Sequence, residues 1–346
     1  MSTTAGQDQA ALQLHLVLSD KAVAVYGAGA AVDNLTKLSA GASRETWTFD
    51  VVAPDGCDSI PLILKRDPLT HLADGSITAE ASRFGVDRHT EGRLIELAGA
   101  AGVPAPQVAF FLDADARTTS GFAMQRLDGE TLGRRILRDD AYAKARPRLA
   151  FQCGEAAARF HSIAADSLPP LDSMDVGEEL NFYHDLMQAT GHPYPGFEYG
   201  SRWLGERTEM AGRCHALVHG DFRNGNIVVG PEGLRGVLDW EIAHLGNPAS
   251  DLGWMCVRSW RYGHFGKPVG GFGEIDDLLA GYEAGGGGPV SAEAIRYWEI
   301  FGTLRWGMLC IGMAYPEAGG PPVSMEKAAI GRRTAETEYD LLQLID

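Results

Sequence analysis

Apolar residues recur along this chain in two rhythms, and the change between them falls at Asp128-Gly129. Before it, short runs rich in β-branched and aromatic residues predict strands at Leu35 to Leu38, Thr46 to Val52, Ile60 to Lys65, Val108 to Leu112 and Gly121 to Leu127. Pro54-Asp55-Gly56 is turn chemistry between the second strand and the third. A helix from Val86 to Ala98 interrupts the strands, and Gly102-Val103-Pro104-Ala105-Pro106 stops it. A polar, frayed start from Met1 to Asp8 leads into a short helix over Ala10 to Leu18. After Asp128 the spacing becomes helical, over Thr131 to Leu137 and Ala141 to Ile163. Leu149, Cys153, Ala156 and Phe160 form one core stripe there, and Tyr297, Phe301, Leu304 and Met308 form another. A last helix is expected from about Ser324 to Leu344. The pattern predicts an α+β protein of two lobes. Residues 1–127 carry a five-stranded antiparallel sheet with one helix, and residues 128–346 are mainly helical.

One stretch departs from the helical rhythm of the second lobe. Leu217-Val218-His219-Gly220-Asp221-Phe222-Arg223-Asn224-Gly225-Asn226-Ile227-Val228-Val229 reads as a strand, a tight polar loop and a second strand. A further apolar run, Gly236-Val237-Leu238, ends in Asp239. Strand ends therefore deliver Asp221, Asn226 and Asp239 to neighbouring loops. Two carboxylates and a carboxamide suit a hard divalent cation and a hydroxyl to be activated. The spacing His219, Asp221, Asn226, with an Asp one hairpin later, is that of kinase catalytic loops. The bland alternative is a hairpin whose Asp and Asn cap turns.

His219-Gly220-Asp221 through Asn226, Leu238-Asp239-Trp240-Glu241, and Gly246-Asn247-Pro248 to Asp251 resemble the aminoglycoside phosphotransferase and choline kinase superfamily. The resemblance extends through Leu38 to Asp50, Lys65, Glu91 and Met124 to Gly129, so it covers most of the chain. Its nearest likeness is the branch that includes kinase-like domains fused to some acyl-CoA dehydrogenases. It implies a protein-kinase-like bilobal fold, with ATP and Mg2+ as cofactors and a small hydroxyl-bearing molecule as acceptor.

The resemblance also implies roles. Asp221 orients the acceptor hydroxyl and takes its proton, and Asn226 and Asp239 hold Mg2+. Ser39-Ala40-Gly41-Ala42-Ser43 lies over the phosphates, with Ser39, Gly41 and Ser43 offering backbone N–H groups. The loop has a single glycine, where relatives often have another at Ala40. Lys65 neutralises phosphate charge; Arg66 beside it competes, and strand alternation lets only one of them point inward. Glu91 pairs with Lys65, with Glu80 and Glu96 as alternatives. Gln125 and Leu127 meet the purine edge through their backbone groups. Arg223 either touches the γ-phosphate or is a surface charge. Asp251 either braces the catalytic loop or caps a helix. His219 and His161 read as packed structural histidines. The mixed segment from Leu168 to Gly212 either holds the acceptor pocket or forms an ordinary pair of packed helices.

Departures from protein kinases narrow the acceptor. Gly220 stands where an arginine would read an activation-loop phosphate, and Trp240-Glu241 follows Asp239 in place of Phe-Gly. Only eleven residues separate Asp239 from Asp251, too few for a peptide-docking loop. A small metabolite or antibiotic fits better than a polypeptide, and the acyl-CoA dehydrogenase branch tilts the reading to a hydroxyacyl or other metabolic alcohol.

Composition removes other classes. A net charge of −16 argues against a nucleic-acid binder, which needs a basic footprint. Five widely spaced cysteines, at 57, 153, 214, 256 and 310, read as reduced cytoplasmic thiols. The start carries no signal-peptide pattern, and no apolar run is long enough to span a membrane. Nothing in the pattern fixes an oligomeric state. Two rival functions stay open. One is a catalytically silent ATP-binding module of the same fold. The other is a nicotinamide-dependent oxidoreductase, suggested by Ala22 to Tyr26 read as a strand before Gly27-Ala28-Gly29, with Asp50 downstream. Val32 at the third glycine position and a second turn at Ser39 to Ser43 weigh against the latter.

Overall fold

A computed structural model describes residues 2–38, 45–54, 59–67, 85–115, 117–173, 175–212, 215–314 and 325–345. The chain divides into two compact units. The first holds residues 1–80, 86–99 and 105–127, and the second holds 81–85, 100–104 and 128–346.

The first unit is built on one antiparallel sheet: β1 (Ala31–Leu38), β2 (Glu45–Val52), β3 (Ser59–Arg66), β4 (Val108–Leu112) and β5 (Gly121–Gln125), in the order β1-β2-β3-β5-β4. Helix α1 (Ser2–Tyr26) is far longer than the segment Ala10 to Leu18 predicted for it. Its Leu14, Val17, Leu18 and Ala22 recur at helical spacing and pack on Trp47, Phe49, Val51, Leu62 and Leu64 of the sheet. Ala22 to Tyr26 is therefore the last turn of a helix and not a strand. Gly27, at φ 103°, ends it, its N–H bonded to the Val23 carbonyl at 3.0 Å. The dinucleotide fingerprint loses the strand it requires. Helix α2 (Arg88–Ala100) buries Glu91, Leu94, Ile95 and Ala98.

Register settles the choice between Lys65 and Arg66. Trp47 pairs with Leu64 and Glu45 with Arg66, so Arg66 lies on the face that packs against α1. It is buried there, ion-paired to Glu45 at 2.7 Å. Lys65 takes the opposite face. Both basic side chains are thus used, one on each side of the sheet.

The second unit runs through α3 (Gly133–Arg138), α4 (Arg146–His161), α5 (Val176–Ala189), α6 (Pro195–Gly205), α7 (Ala249–Cys256), α8 (Ile275–Ala284), α9 (Ala292–Ala314), α10 (Met325–Gly331) and α11 (Arg333–Ile345). The C-terminal pattern read as one helix is two, α10 and α11, interrupted after Gly331. Helix α9 is buried on nearly every side, as its long apolar sequence requires. Both expected core stripes are buried. The stretch from Leu217 to Val229 also departs from a simple hairpin. Strands β6 (Ala216–Val218) and β7 (Ile227–Gly230) flank the loop without pairing to each other. β6 pairs with β9 (His244–Gly246), and β7 pairs with β8 (Gly233–Val237). The loop therefore bridges two small sheets. Among the described residues, no helix is long and apolar enough to cross a membrane.

Candidate active site

The centre of the second unit is the loop between β6 and β7. Gly220 sits at φ 82°, and a Cβ there would stand 2.5 Å from the Ile242 carbonyl oxygen. The position where a protein kinase carries arginine is closed to any side chain by this backbone approach. Asp251, in the first turn of α7, accepts from the His219 N–H at 2.8 Å and the Gly220 N–H at 2.9 Å. Its third contact is the His161 imidazole, 3.1 Å away, and that ring also meets the Tyr282 hydroxyl at 3.0 Å. Burial alone would raise the Asp251 carboxyl; the bonds from His161 and His219 hold it below the usual carboxylate range. Asp251 is a brace for the loop, and the alternative of a plain helix cap is set aside.

His219 is fully buried, and that burial lowers its pKa against the pull of Asp251 and Asp221. A neutral ring fits both of its contacts. Nε2–H donates to the Leu238 carbonyl at 2.9 Å, and Nδ1 accepts from the Asp221 N–H at 3.2 Å. His219 therefore shapes the loop and has no nitrogen left to act as a base.

The Asp221 carboxylate receives three donors. Arg223 Nε and Trp254 Nε1 reach Oδ1 at 2.9 and 2.8 Å, and Asn226 Nδ2 reaches Oδ2 at 2.6 Å. Arg223 is no loose surface charge, because its guanidinium also stacks on Trp260 at 4.5 Å. Asn226 Nδ2 bonds the Asp221 carbonyl as well, at 3.0 Å, so the amide nitrogen is committed inward. Its side-chain Oδ1, distinct from the backbone carbonyl, is the atom left for a ligand. The Leu238 N–H donates to the Asn226 carbonyl at 2.9 Å, which sets residue 239 beside residue 226. Asp239 itself adopts φ 63°, a left-handed conformation uncommon for a residue with a side chain. The oxygens of Asn226 and Asp239 make a hard donor set suited to Mg2+. On the outer edge of the loop, buried Asn224 donates to the Gly270 carbonyl at 2.7 Å, and the Tyr262 hydroxyl donates to the Asn224 carbonyl at 3.1 Å.

Trp254 is the residue that motif reading missed. It lies three positions after Asp251 on α7, so one helix face holds both the start of the loop and the Asp221 side chain. The buried Arg305 guanidinium stacks on the Trp254 ring at 4.6 Å and holds it in place. The signal was present as the i, i+3 spacing, but a tryptophan beside a motif reads as core.

In the first unit, Lys65 Nζ lies 2.9 Å from Glu91 Oε1. Glu91 is fully buried and also pairs with Arg88, whose Nε stands 3.3 Å from Asp67. Of the alternatives, Glu96 instead pairs with Arg93 on the exposed side of α2 at 2.9 Å, and Glu80 lies outside the described residues. The Gln125 N–H is spent on the Gln107 carbonyl at 2.8 Å, so Gln125 can meet a ligand through its carbonyl and not through its amide. Leu127, two positions on, is half-buried. Ser39, Gly41 and Ser43 lie outside the described residues.

The model of the phosphotransferase enzyme family matches residues 34–287. The chain is 29% identical over 203 residues to acyl-CoA dehydrogenase family member 11 of Homo sapiens, a match covering 55% of this chain and 24% of that protein. The chain thus spans about a quarter of the length of the curated relatives it matches. Among solved structures, a Ralstonia eutropha JMP134 protein assigned as an aminoglycoside phosphotransferase is 18% identical, with a TM-score of 0.70 over 96% of this chain and 97% of that one. An aminoglycoside phosphotransferase in ternary complex with AMP-PNP and hygromycin B is 15% identical, with a TM-score of 0.59 over 94% and 98% of the two chains. At such identities the likeness establishes the protein-kinase-like, bilobal α+β fold.

Proposed function

From membership of the phosphotransferase enzyme family, to which this chain belongs, we propose that it transfers the γ-phosphoryl group of ATP to the hydroxyl of a small molecule. The observation that carries this reading is the Asp221 carboxylate, fixed by Arg223, Trp254 and Asn226 on a loop whose backbone is itself braced by Asp251.

The acceptor oxygen forms a bond to the γ-phosphorus as the bond to the β-phosphate bridging oxygen breaks. The hydroxyl proton goes to Asp221, and ADP leaves. The transition state of such transfers is loose, so catalysis is mostly positioning and charge neutralisation. Asp221 suits that demand because its donors restrict its orientation before the acceptor arrives. Asn226 and Asp239 would hold Mg2+, which supplies neutralising charge at the phosphates when bound. Lys65, kept in place by Glu91, adds a second positive charge there, and the Gln125 carbonyl and Leu127 amide serve the purine edge. Similarity to proteins named as acyl-CoA dehydrogenases leans the acceptor toward a hydroxyacyl or other metabolic alcohol over an antibiotic. Free, buried thiols at Cys153, Cys256 and Cys310 suit a cytoplasmic setting.

The test is a thermal shift with ATP and Mg2+ beside ATP consumption across hydroxyl compounds. Stabilisation by ATP–Mg2+ together with acceptor-dependent ADP release is expected. Stabilisation without turnover on any acceptor would leave a silent binding module. Stabilisation by NAD and not by ATP would sink the reading.

A further inference from the structure

A cleft of about 810 Å³ opens on the second unit, with Tyr262, which bonds the loop at Asn224, in its wall. Its charged lining is Arg134, Arg258, Arg333, Glu336 and Asp340. Three guanidinium groups against two carboxylates give the cleft a local excess of positive charge in a chain whose net charge is −16.

The carboxylates leave the arginines with donors to spare. Asp340 engages Arg258 through Nε at 3.3 Å, and Glu336 engages Arg333 through Nε at 3.4 Å. The Arg258 guanidinium lies 4.0 Å from the Phe265 ring centre, which holds its plane in one orientation. Among the described residues, no hydrogen bond or ion pair involves the Arg134 side chain. Each arginine thus has terminal N–H groups available, in the fork geometry that matches a carboxylate or phosphate. The rest of the wall is aromatic. Phe265 and Tyr339 are 49% and 59% exposed, a large apolar display for side chains of that size, and Tyr262 lies between the cleft and the loop.

Tyr262 joins this cleft to the chemistry. It lines the cleft, and its hydroxyl holds the Asn224 carbonyl in the middle of the catalytic loop. It does so from φ 44°, a strained conformation for a tyrosine. Its ring fills the space that a Cβ at Gly133 would need, 2.2 Å from the nearest ring carbon. Trp260, in the same short turn Arg258–Arg261, carries the Arg223 stack. The turn that supplies Arg258 is therefore attached to the loop bearing Asp221 at two points.

We propose that this cleft receives the phosphoryl acceptor, and that the acceptor carries a carboxylate or phosphate group, gripped by Arg134, Arg258 and Arg333, on an apolar or planar body that lies against Phe265 and Tyr339. The proposal rests on the kinase reading above and gives the acceptor its charge.

The experiment uses the full chain with AMP-PNP and Mg2+ at saturation, so that the nucleotide site is filled. Matched probes of one chain length are added: an ω-hydroxy carboxylate, an ω-hydroxyalkyl phosphate, the corresponding diol and the corresponding amino alcohol. Binding is followed by thermal shift, and ADP release is measured with ATP in a parallel set. The anionic probes should bind at least tenfold more tightly than the diol or the amino alcohol, and added salt should weaken them. The better of the two anions identifies which group the cleft serves. Arg258→Ala and Arg134→Ala should each weaken the anionic probes tenfold or more, while leaving the diol and the stabilisation by AMP-PNP–Mg2+ unchanged. Preference for the amino alcohol, equal binding of all four, anion binding that ignores both arginine substitutions, or no binding of either anion would overturn the proposal. Failure of AMP-PNP–Mg2+ to stabilise the chain is a separate result, and it would strike the kinase reading instead.

Discussion

In the first unit, Lys65 is held by charge. Glu91 faces both Lys65 and Arg88, and Arg88 approaches Asp67, so a cation is positioned by a chain of ion pairs. In the second unit, the loop bearing Asp221 is held by directional hydrogen bonds. Asp251 grips two backbone N–H groups and an imidazole, and neutral His219 ties the loop to Leu238. The difference fits the tasks proposed for the two sites. A lysine that meets phosphate needs a position and a charge, and a network with two cations around one carboxylate tolerates change. A group that aligns an acceptor needs a fixed direction, which backbone N–H donors provide and a mobile ion pair does not. The second arrangement has no spare partner.

Asp221→Ala offers the largest effect. It removes the proposed proton acceptor and should cut turnover about 10³-fold, within the range for general bases, while the unfolding midpoint shows the fold retained. Turnover within tenfold of the parent would move the chemistry elsewhere. Asp251→Ala sharpens the contrast through stability. It strands two buried N–H groups and the His161 imidazole, so unfolding in urea should show a loss of about 3 kcal/mol, with turnover falling in the residual folded protein. Lys65→Met is the counterpart in the first unit. Glu91 keeps Arg88, so stability should fall by only about 1 kcal/mol, while the KM for ATP rises about ten- to hundredfold with the lost charge. A stability loss as large as that of Asp251→Ala would erase the distinction between the two networks.

Trp254→Phe keeps the ring under Arg305 and removes one donor from Asp221. It should lower kcat about tenfold and leave the KM for ATP unchanged, a split that a purely packing role would not produce. The smallest test is one of direction. His219 is kept neutral, with its pKa lowered from 6.5 in the fold. As pH falls below 6.5 the unfolded chain binds a proton that the folded chain resists, so stability declines through that window toward the folded value. His219→Gln should show a shallower acid-side decline in its unfolding profile. Parallel profiles for variant and parent would mean that His219 is not the group being kept neutral.

Periodicity alone found the five strands before Asp128 and the main helices after it, because period 2 and period 3.6 are local properties of a chain facing a core. The motif spacing likewise proposed Asp221, Asn226 and Asp239 as neighbours, and the Asn226 amide does meet the Asp221 carboxylate, since a loop of set length constrains which side chains meet. The N-terminal helix was only partly legible. Ala22 to Val25 suits a strand as well as a helix, and burial of Ala22 beside Leu18 against the sheet decided the matter. Three things belong to the tertiary structure. Lys65 and Arg66 are equivalent as adjacent basic residues until the register of β2 and β3 assigns them opposite faces. Asp251 and Trp254 acquire their roles only when α7 packs against a loop some thirty positions earlier. The arginines of the cleft come from α3, the turn after α7, and α11, and only folding gathers charges so far apart in sequence. Side-chain type and spacing are written locally, whereas the partner that gives each side chain its chemistry arrives through contacts no local pattern encodes.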